Sequence, residues 1–212
     1  GLMMTPLLCW SVSVLAEPAT MLWFEERERG LDPYQVRMVV SEQHVRIDDG
    51  EDDGDYLLFD RQAGVVLNVI HANASVMRVA PTEVEAPEAE IEIRERMLEM
   101  ENAPRVAGGI PKRWVLTAGE GVCYEAVVVP GALPDVSRNM ASLRELLAWQ
   151  SRASLQNTPE EMRTPCFLAR HILAPAAHWR QGLVIQEWDS KGYHRQLVNF
   201  EQQVDVPAEL FE

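Results

Sequence analysis

The sequence is poor in basic residues: 19 Lys and Arg stand against 33 Asp and Glu, which gives a formal net charge of −14 at pH 7. Proteins that hold nucleic acid or anionic lipid headgroups through charge need an excess of surface cations. The shortage therefore argues against both as electrostatic partners. A cation or a basic partner protein remains compatible with the acidic surface, although a net charge of this sign often serves solubility alone.

The sequence also lacks the motifs of common enzymes. It has no G-x-S-x-G elbow, no Walker loop, no G-x-G-x-x-G after a strand and no H-E-x-x-H. Neither Cys123 nor Cys166 belongs to a C-x-x-C motif, so thiol redox catalysis is not expected. Pro175 separates His171 from His178 and spoils a joint metal site, which favours two satisfied or surface imidazoles. We therefore predict a non-enzymatic protein with no cofactor and no metal.

No run of Ser, Gly or Pro resembles an interdomain linker, so one domain over residues 17–212 is predicted. Residues 1–16 carry no charge and end in an apolar run, with Val14 and Ala16 as the small residues that signal peptidase needs. A membrane span needs about 20 apolar residues, and that run is shorter. We predict an export signal at 1–16 and a periplasmic domain without a membrane span. A packed helix or strand is the alternative interpretation of the same residues.

Short apolar runs of strand length, separated by turn residues, organise the first half of the chain. Residues 56–59, 65–70 and 76–79 form a predicted β-meander, in which Gly64 and Asn73 take the left-handed conformation at the two turns. Residues 65–70 are apolar on both faces, which predicts a central strand. Further strands are predicted within residues 34–47, at 88–93, at 112–117 with 122–129, and at 183–189 with 193–204.

Two helical segments follow the strand at 122–129. Val136, Met140, Leu143 and Leu147 recur at helical spacing, which predicts an amphipathic helix over residues 135–155. A capping box at residues 158–161 predicts a further helix start. Thr164 followed by Pro165 predicts another. The order of strands, helices and strands predicts an α+β fold, in which a curved antiparallel sheet or incomplete β-barrel carries two or three helices on one face.

Three segments resemble a known family: RIDDG, DYLLFDRQAGVVLNVIHANASVMRV, and the closing GLVIQEWDSKGYHRQLV with VPAELFE. They are similar to uncharacterised exported bacterial proteins of the lipoprotein-carrier-like (LolA-like) fold. The resemblance covers residues 44–79 and 182–211, and Val184 departs from it by standing where a proline is common. It implies an incomplete β-barrel wrapped over a helix, with an apolar inside that can hold acyl chains or another apolar ligand.

The width of the sheet predicts a binding pocket. One helix covers a strip about 10 Å wide, which is narrower than six or more strands spaced about 4.8 Å apart. We therefore expect an apolar pocket between the sheet and the helix at 135–155. The candidate ligand-binding residues are Leu67, Val69, Leu143, Leu147, Phe167 and Trp179. Two alternatives stay open: a core filled by side chains, and an envelope protein that binds other proteins through its acidic surface.

A disulfide is predicted between Cys123 and Cys166. These two cysteines are the pair that remains once Cys9 is removed with the export signal, and disulfides persist in oxidising compartments.

The acidic run before the meander has partial calcium-loop spacing. The residues at offsets 1, 3, 5, 6 and 12 are Asp49, Glu51, Asp53, Gly54 and Asp60. The residue at offset 3 and the short last ligand depart from the pattern, and a strand at 56–59 would separate the ligands. A solvated loop without metal is therefore the favoured interpretation.

Overall fold

The computed structural model describes residues 16–119 and 121–212. Most of the predicted export signal, including Cys9, lies outside the described residues. Ala16, its last residue, already belongs to the first strand.

The described chain forms one antiparallel sheet of eleven strands and three short or medium helices. The strands are β1 Ala16–Arg27, β2 Tyr34–Val40, β3 His44–Asp48, β4 Tyr56–Asp60, β5 Val65–Ile70, β6 Ser75–Val79, β7 Ile93–Glu99, β8 Lys112–Ala118, β9 Gly121–Val129, β10 Leu183–Trp188 and β11 His194–Pro207. The helices are α1 Pro134–Ala153, α2 Pro165–Leu168 and α3 Ala177–Gln181. The predicted α+β class is confirmed, with a sheet larger than the prediction implied.

The strand order is β6-β5-β4-β3-β2-β1-β11-β10-β9-β8-β7. The first six strands run outward from the centre as a meander, and the last five run back from the opposite edge. β1 and β11 join the two halves, pairing Ala16 with Pro207 at one end and Arg27 with His194 at the other. The described sheet is open, since β6 and β7 are its edges.

The helices begin where their local sequences permit. α1 has Pro134 at its start and Asp135 in its first turn, where the missing N–H and the negative charge suit a helix N-terminus. The side chain of Thr164 caps α2 by accepting a hydrogen bond from Phe167 N–H at 3.2 Å. A π-helical turn, Ala169–Leu173, continues α2. The predicted capping box at 158–161 instead gives only the 3₁₀ turn Glu160–Met162, without a side-chain cap.

The sheet has a core on each face. All three helices pack on one face, here called the helical face, where Met38, Val45, Phe59 and Val66 meet Leu143 of α1. The opposite face carries a smaller cluster formed by Val39, Leu58 and Val206 and covered by Leu210 and Phe211 of the 3₁₀ turn Ala208–Phe211. Alternation along the strands sends neighbouring residues to different cores.

Three local predictions need correction, and one strand was not predicted. β5 is not central, since it lies next to the edge strand β6. Its second face contributes Leu67 to the cluster that the C-terminal turn covers. The exposed acidic strand is at Ile93–Glu99 and not at 88–93. β1 was not predicted as a strand, although it is central. Gly64 has the predicted left-handed conformation with φ 64°, but at the second turn Ala74, not Asn73, has it with φ 50°.

Candidate functional site

A groove of about 560 Å³ runs between α1 and α3 on the outer side of the helical layer. Small residues make it open: Ser137, Ala141 and Ser142 of α1 face it, and Gly182 lies at its end. Trp179 of α3 lines it as well and is only 1% exposed, so the indole is part of a fixed floor.

Charged side chains stand at the rim of this groove. Glu145 Oε2 lies 3.2 Å from Arg180 Nη2, and its Oε1 lies 2.9 Å from Arg152 Nη1. Arg138 pairs with Asp135 one turn earlier on α1. Each charge at this rim therefore has a partner within the chain, and apart from Gln181 the rest of the lining is small or apolar.

Gly182 fixes the end of the groove because a side chain does not fit there. Its φ is +149°, and an added Cβ would lie 2.4 Å from the carbonyl oxygen of Val129. The chain can leave α3 and enter β10 this closely to β9 only with glycine at this position.

A charged cluster lies buried beneath the helices on the same face. Glu187 of β10 and Arg195 of β11 are paired across the strands, at 0% and 3% exposure, and their side chains are in contact. The guanidinium of Arg195 also lies 4.5 Å from the ring of Phe24 and 3.7 Å from Glu26 Oε1. Tyr124 O–H donates to Glu187 Oε2 at 2.8 Å.

His178 of α3 completes the cluster, with its Nε2 at 3.1 Å from Glu187 Oε2. Burial raises the pKa of Glu187, but the charge of Arg195 and the contact with His178 outweigh it and hold that pKa well below its usual range. Burial lowers the pKa of His178, against the opposing effect of Glu187. The arrangement is an ionised carboxylate beside a neutral imidazole, with Arg195 and Tyr124 as the other partners of the carboxylate.

A second, much smaller cleft of about 30 Å³ adjoins this cluster. Arg144 of α1, Arg170 and His171 of the π-helical turn, Tyr124 of β9 and His178 line it. The ring of Phe167 lies 5.1 Å from that of His171.

The predicted ligand-binding residues divide between the two faces of the sheet. Leu143 is 2% exposed in the core of the helical face, and Leu147 packs against the same core. Among the predicted residues, Trp179 lines the groove. Buried side chains fill the space between α1 and the strands, so the groove lies between two helices and not between the helix and the sheet, where the pocket was expected.

Leu67 and Val69 lie on the face opposite the helices. Leu67 pairs with Leu58 and packs in the second cluster, while Val69 pairs with Tyr56. A strand with two apolar faces does not reveal from sequence which residues face which core. These two residues therefore do not share a site with Leu143, Phe167 or Trp179.

The predicted disulfide between Cys123 and Cys166 is confirmed, with Cα atoms 5.0 Å apart. It joins β9 to the first turn of α2. The short helical segment that carries Arg170 and His171 is thereby tied to the sheet beside the small cleft.

The acidic loop after β3 is fixed at its start rather than solvated throughout. Asp48, 7% exposed, accepts hydrogen bonds from Arg37 at 2.8 and 2.7 Å and from Arg46 at 2.6 Å. Arg46 also donates to the carbonyl of Leu210 at 3.1 Å and stacks over Tyr56. Burial raises the pKa of Asp48, but the two arginines and an amide hydrogen bond outweigh burial, and the pKa lies below its ordinary value.

The calcium-loop residues do not gather. Asp60 is at the far end of β4, about 13 Å along the strand from Tyr56, and its Oδ1 accepts a hydrogen bond from Ala63 N–H. Asp49 Oδ1 instead accepts from Glu51 N–H. Within residues 16–119 and 121–212, no three His, Cys, Asp or Glu side chains are grouped as metal ligands would be.

No family model matches the chain, and no curated protein is similar to it. Two solved structures of PNGF-II, in space groups C2 and P21, are similar at 7% identity, with TM-scores of 0.44 and 0.46. The match covers 92% of this chain, which spans 30% of the length of those chains. At these TM-scores the likeness does not establish a shared fold. Among the described helices, none is long and apolar enough to cross a membrane.

Sequence reasoning missed the buried cluster. The available signal was a charge inside each of two apolar strands, Glu187 in LVIQEW and Arg195 in HRQLV. Their partnership depends on the register between β10 and β11, which motifs do not encode. His178 was expected to be satisfied or at the surface, and the structure places it at 5% exposure against Glu187.

Proposed function

We propose that the protein is an exported, non-enzymatic protein that binds or carries a lipid or another apolar ligand. Its binding site is the groove between α1 and α3. The observation that carries this proposal is the size and lining of the groove: about 560 Å³, within the range of about 300–1,000 Å³ typical of small-molecule sites. The rim charges are already paired, so an uncharged chain meets no unpaired charge there.

The architecture supports the same function. An open antiparallel sheet with its helices on one face is the arrangement that a LolA-like half-barrel requires, and we propose that the chain has that fold. Because the sheet–helix interface is filled, the ligand would lie between the helices. Each buried methylene of an acyl chain contributes about 0.8 kcal/mol, so a chain of eight would gain about 6 kcal/mol before the costs of association.

Location in the periplasm is part of this proposal. A disulfide such as Cys123–Cys166 persists in oxidising compartments. The uncharged segment 1–16 has the pattern of an export signal.

Uptake of a fluorescent fatty-acid analogue by delipidated protein tests the site. Ala141→Phe adds a ring inside the groove and is expected to abolish saturable uptake. Ala153→Phe makes the same change on the same helix at an exposed position and is the matched control. Equal uptake by wild type and Ala141→Phe, with both proteins folded by circular dichroism, would contradict the groove as the site.

The second candidate is an envelope protein that binds a basic protein. β7 is an edge strand, and Met97 and Leu98 on it are 37% and 38% exposed. Edge strands pair with extended peptides, and the acidic segment at 83–92 would attract a basic one. Salt-sensitive binding of a lysine-rich peptide, lost in Glu88→Lys/Glu90→Lys, would favour this candidate. Peptide binding that the reversals leave unchanged would exclude it.

A further inference from the structure

The small cleft beside the buried cluster contains an arginine without a partner. Across residues 16–119 and 121–212, no carboxylate or carbonyl pairs with the guanidinium of Arg144, and its Nε is buried without an acceptor. Its neighbours differ: Arg170 pairs with Asp189 at 2.9 Å, and Arg152 donates to the carbonyl of Ile172 at 2.8 Å. A guanidinium Nε that is shielded from solvent without an acceptor is costly, so an anionic group that enters the cleft would stabilise Arg144.

The acidic groups near this cleft are already engaged. Asp189 accepts from Arg170 and from the backbone N–H groups of Lys191 and Tyr193. Glu187 is held by Arg195, His178 and Tyr124, as described above. The cleft is therefore locally cationic, although the whole chain carries a net charge of −14.

The walls of the cleft are suited to a fixed ligand. Arg170 and His171 come from a π-helical turn, a rare geometry that often occurs at functional sites. Arg170 is stacked 3.9 Å over the ring of Tyr124, and the disulfide ties the preceding helix to β9. The cationic groups are thus positioned before any ligand binds, which lowers the entropic cost of binding.

We propose that this cleft binds a carboxylate group, with the guanidinium of Arg144 as its principal partner. The planar fork of an arginine matches two carboxylate oxygens. A volume of about 30 Å³ admits such a small planar group while the rest of the molecule stays outside. The carboxylate is either a free small acid or the end of a fatty acid. The site does not depend on the groove between α1 and α3, because Arg144 does not line that groove.

Thermal unfolding tests this site in two experiments. In the first, the Tm is measured as acetate replaces chloride at constant ionic strength. In the second, the Tm with decanoate is compared with the Tm with decanol. For acetate, decanoate or both, a saturable rise in Tm is expected in the wild type, and Arg144→Gln should weaken that binding about tenfold or more. Arg27→Gln, an exposed change on β1 outside both the cleft and the groove, is the control and should keep the wild-type response. Arg144→Lys, which keeps the charge without the fork, should fall between them.

The comparison of acetate with decanoate identifies the source of the carboxylate. Binding of decanoate that is much tighter than that of acetate, and sensitive to Arg144→Gln, assigns an acyl ligand. Similar affinities for both acids assign a free small acid. The proposal is overturned if neither acid raises the Tm of the wild type, or if folded Arg144→Gln responds as the wild type does. Ala141→Phe separates the two sites, since it should remove decanol binding and leave acetate binding intact.

Discussion

Glu187 and Arg195 lie opposite each other on β10 and β11, and both are almost completely buried beneath α3. The pair sits near the seam where the two halves of the sheet meet, with Trp179 5.8 Å from the guanidinium. Buried pairs contribute little net stability when intact, but each partner is costly when left alone. The pair therefore enforces the register of β10 and β11 beneath the helix that forms the floor of the groove.

Glu187→Gln is expected to reduce the free energy of unfolding by about 3–5 kcal/mol, because Arg195 would keep its charge with only the longer contact to Glu26. Urea unfolding followed by circular dichroism measures this change. Glu99→Gln breaks an exposed pair with Lys112 and should change the same quantity by less than about 1 kcal/mol. Similar small effects of both variants would contradict the structural role of the buried pair.

Stability should fall on mild acidification because of His178. Its folded-state pKa is held below the ordinary value of 6.5, first by burial. Below about pH 6.5 His178 therefore binds a proton in the unfolded chain but not in the folded protein. The free energy of unfolding decreases as the pH falls from there. Below about pH 4.5 the lowered pKa values of Glu187, Asp48 and Asp189 add to the loss.

His178→Gln should reduce the slope of the first part of this pH profile and leave the second in place. The slope that remains is expected from His171, whose pKa burial and the charge of Arg170 lower to about 4. His71→Gln, at an exposed histidine, is the control and should retain the wild-type profile. Denaturant midpoints at pH 8, 6 and 5 measure the effect. A His178→Gln profile that superimposes on the wild type would show that another group is responsible.

The triad of Arg37, Asp48 and Arg46 gives a third prediction. Asp48→Ala leaves two buried guanidinium groups without their common acceptor and is expected to cost about 3–5 kcal/mol. Asp49→Ala, next to it but exposed, should change stability by about 0.5 kcal/mol or less. Because Arg46 also holds the carbonyl of Leu210, Asp48→Ala should increase amide hydrogen exchange in the C-terminal turn. Unchanged exchange there would contradict this coupling.

Loss of the disulfide is expected to cost about 4 kcal/mol in the chain-entropy model, because Cys123 and Cys166 are 43 residues apart. Thermal unfolding with and without reductant measures this for the wild type. The double variant Cys123→Ser/Cys166→Ser should match the reduced protein and show no further response to reductant. A wild-type Tm that does not change after complete reduction, verified by thiol counting, would contradict the estimate.

The elements that were predictable from sequence are those specified by local signals. β4 and β5 were predicted within one residue, because turn residues bracket short apolar runs. α1 followed from its apolar spacing. β1 was missed because its first residue falls in the export-like segment and its start, with Glu17 and Pro18, does not have the pattern of a strand. Its pairing with β11 joins residues far apart in sequence.

The candidate sites were less predictable than the fold, for physical reasons. The groove is open because the side chains at Ala141 and Gly182 are small. Small residues do not form a motif that identifies a binding site in a sequence. Leu67 was assigned to the wrong side because the C-terminal turn supplies a second core that the strand pattern does not reveal. The net charge of −14 says nothing about the local cationic cleft at Arg144, which depends on where each acid finds its partner.

Photo-crosslinking tests the proposed binding groove most directly. A fatty acid carrying a photoreactive group near its tail is bound to delipidated protein, irradiated, and its adducts are located by peptide mass spectrometry. The account predicts adducts in α1 around Ala141 and in α3 around Trp179, both lost in Ala141→Phe and retained in Ala153→Phe. Adducts confined to β5 around Leu67, on the opposite face, or labelling that excess unlabelled fatty acid does not reduce, would contradict it.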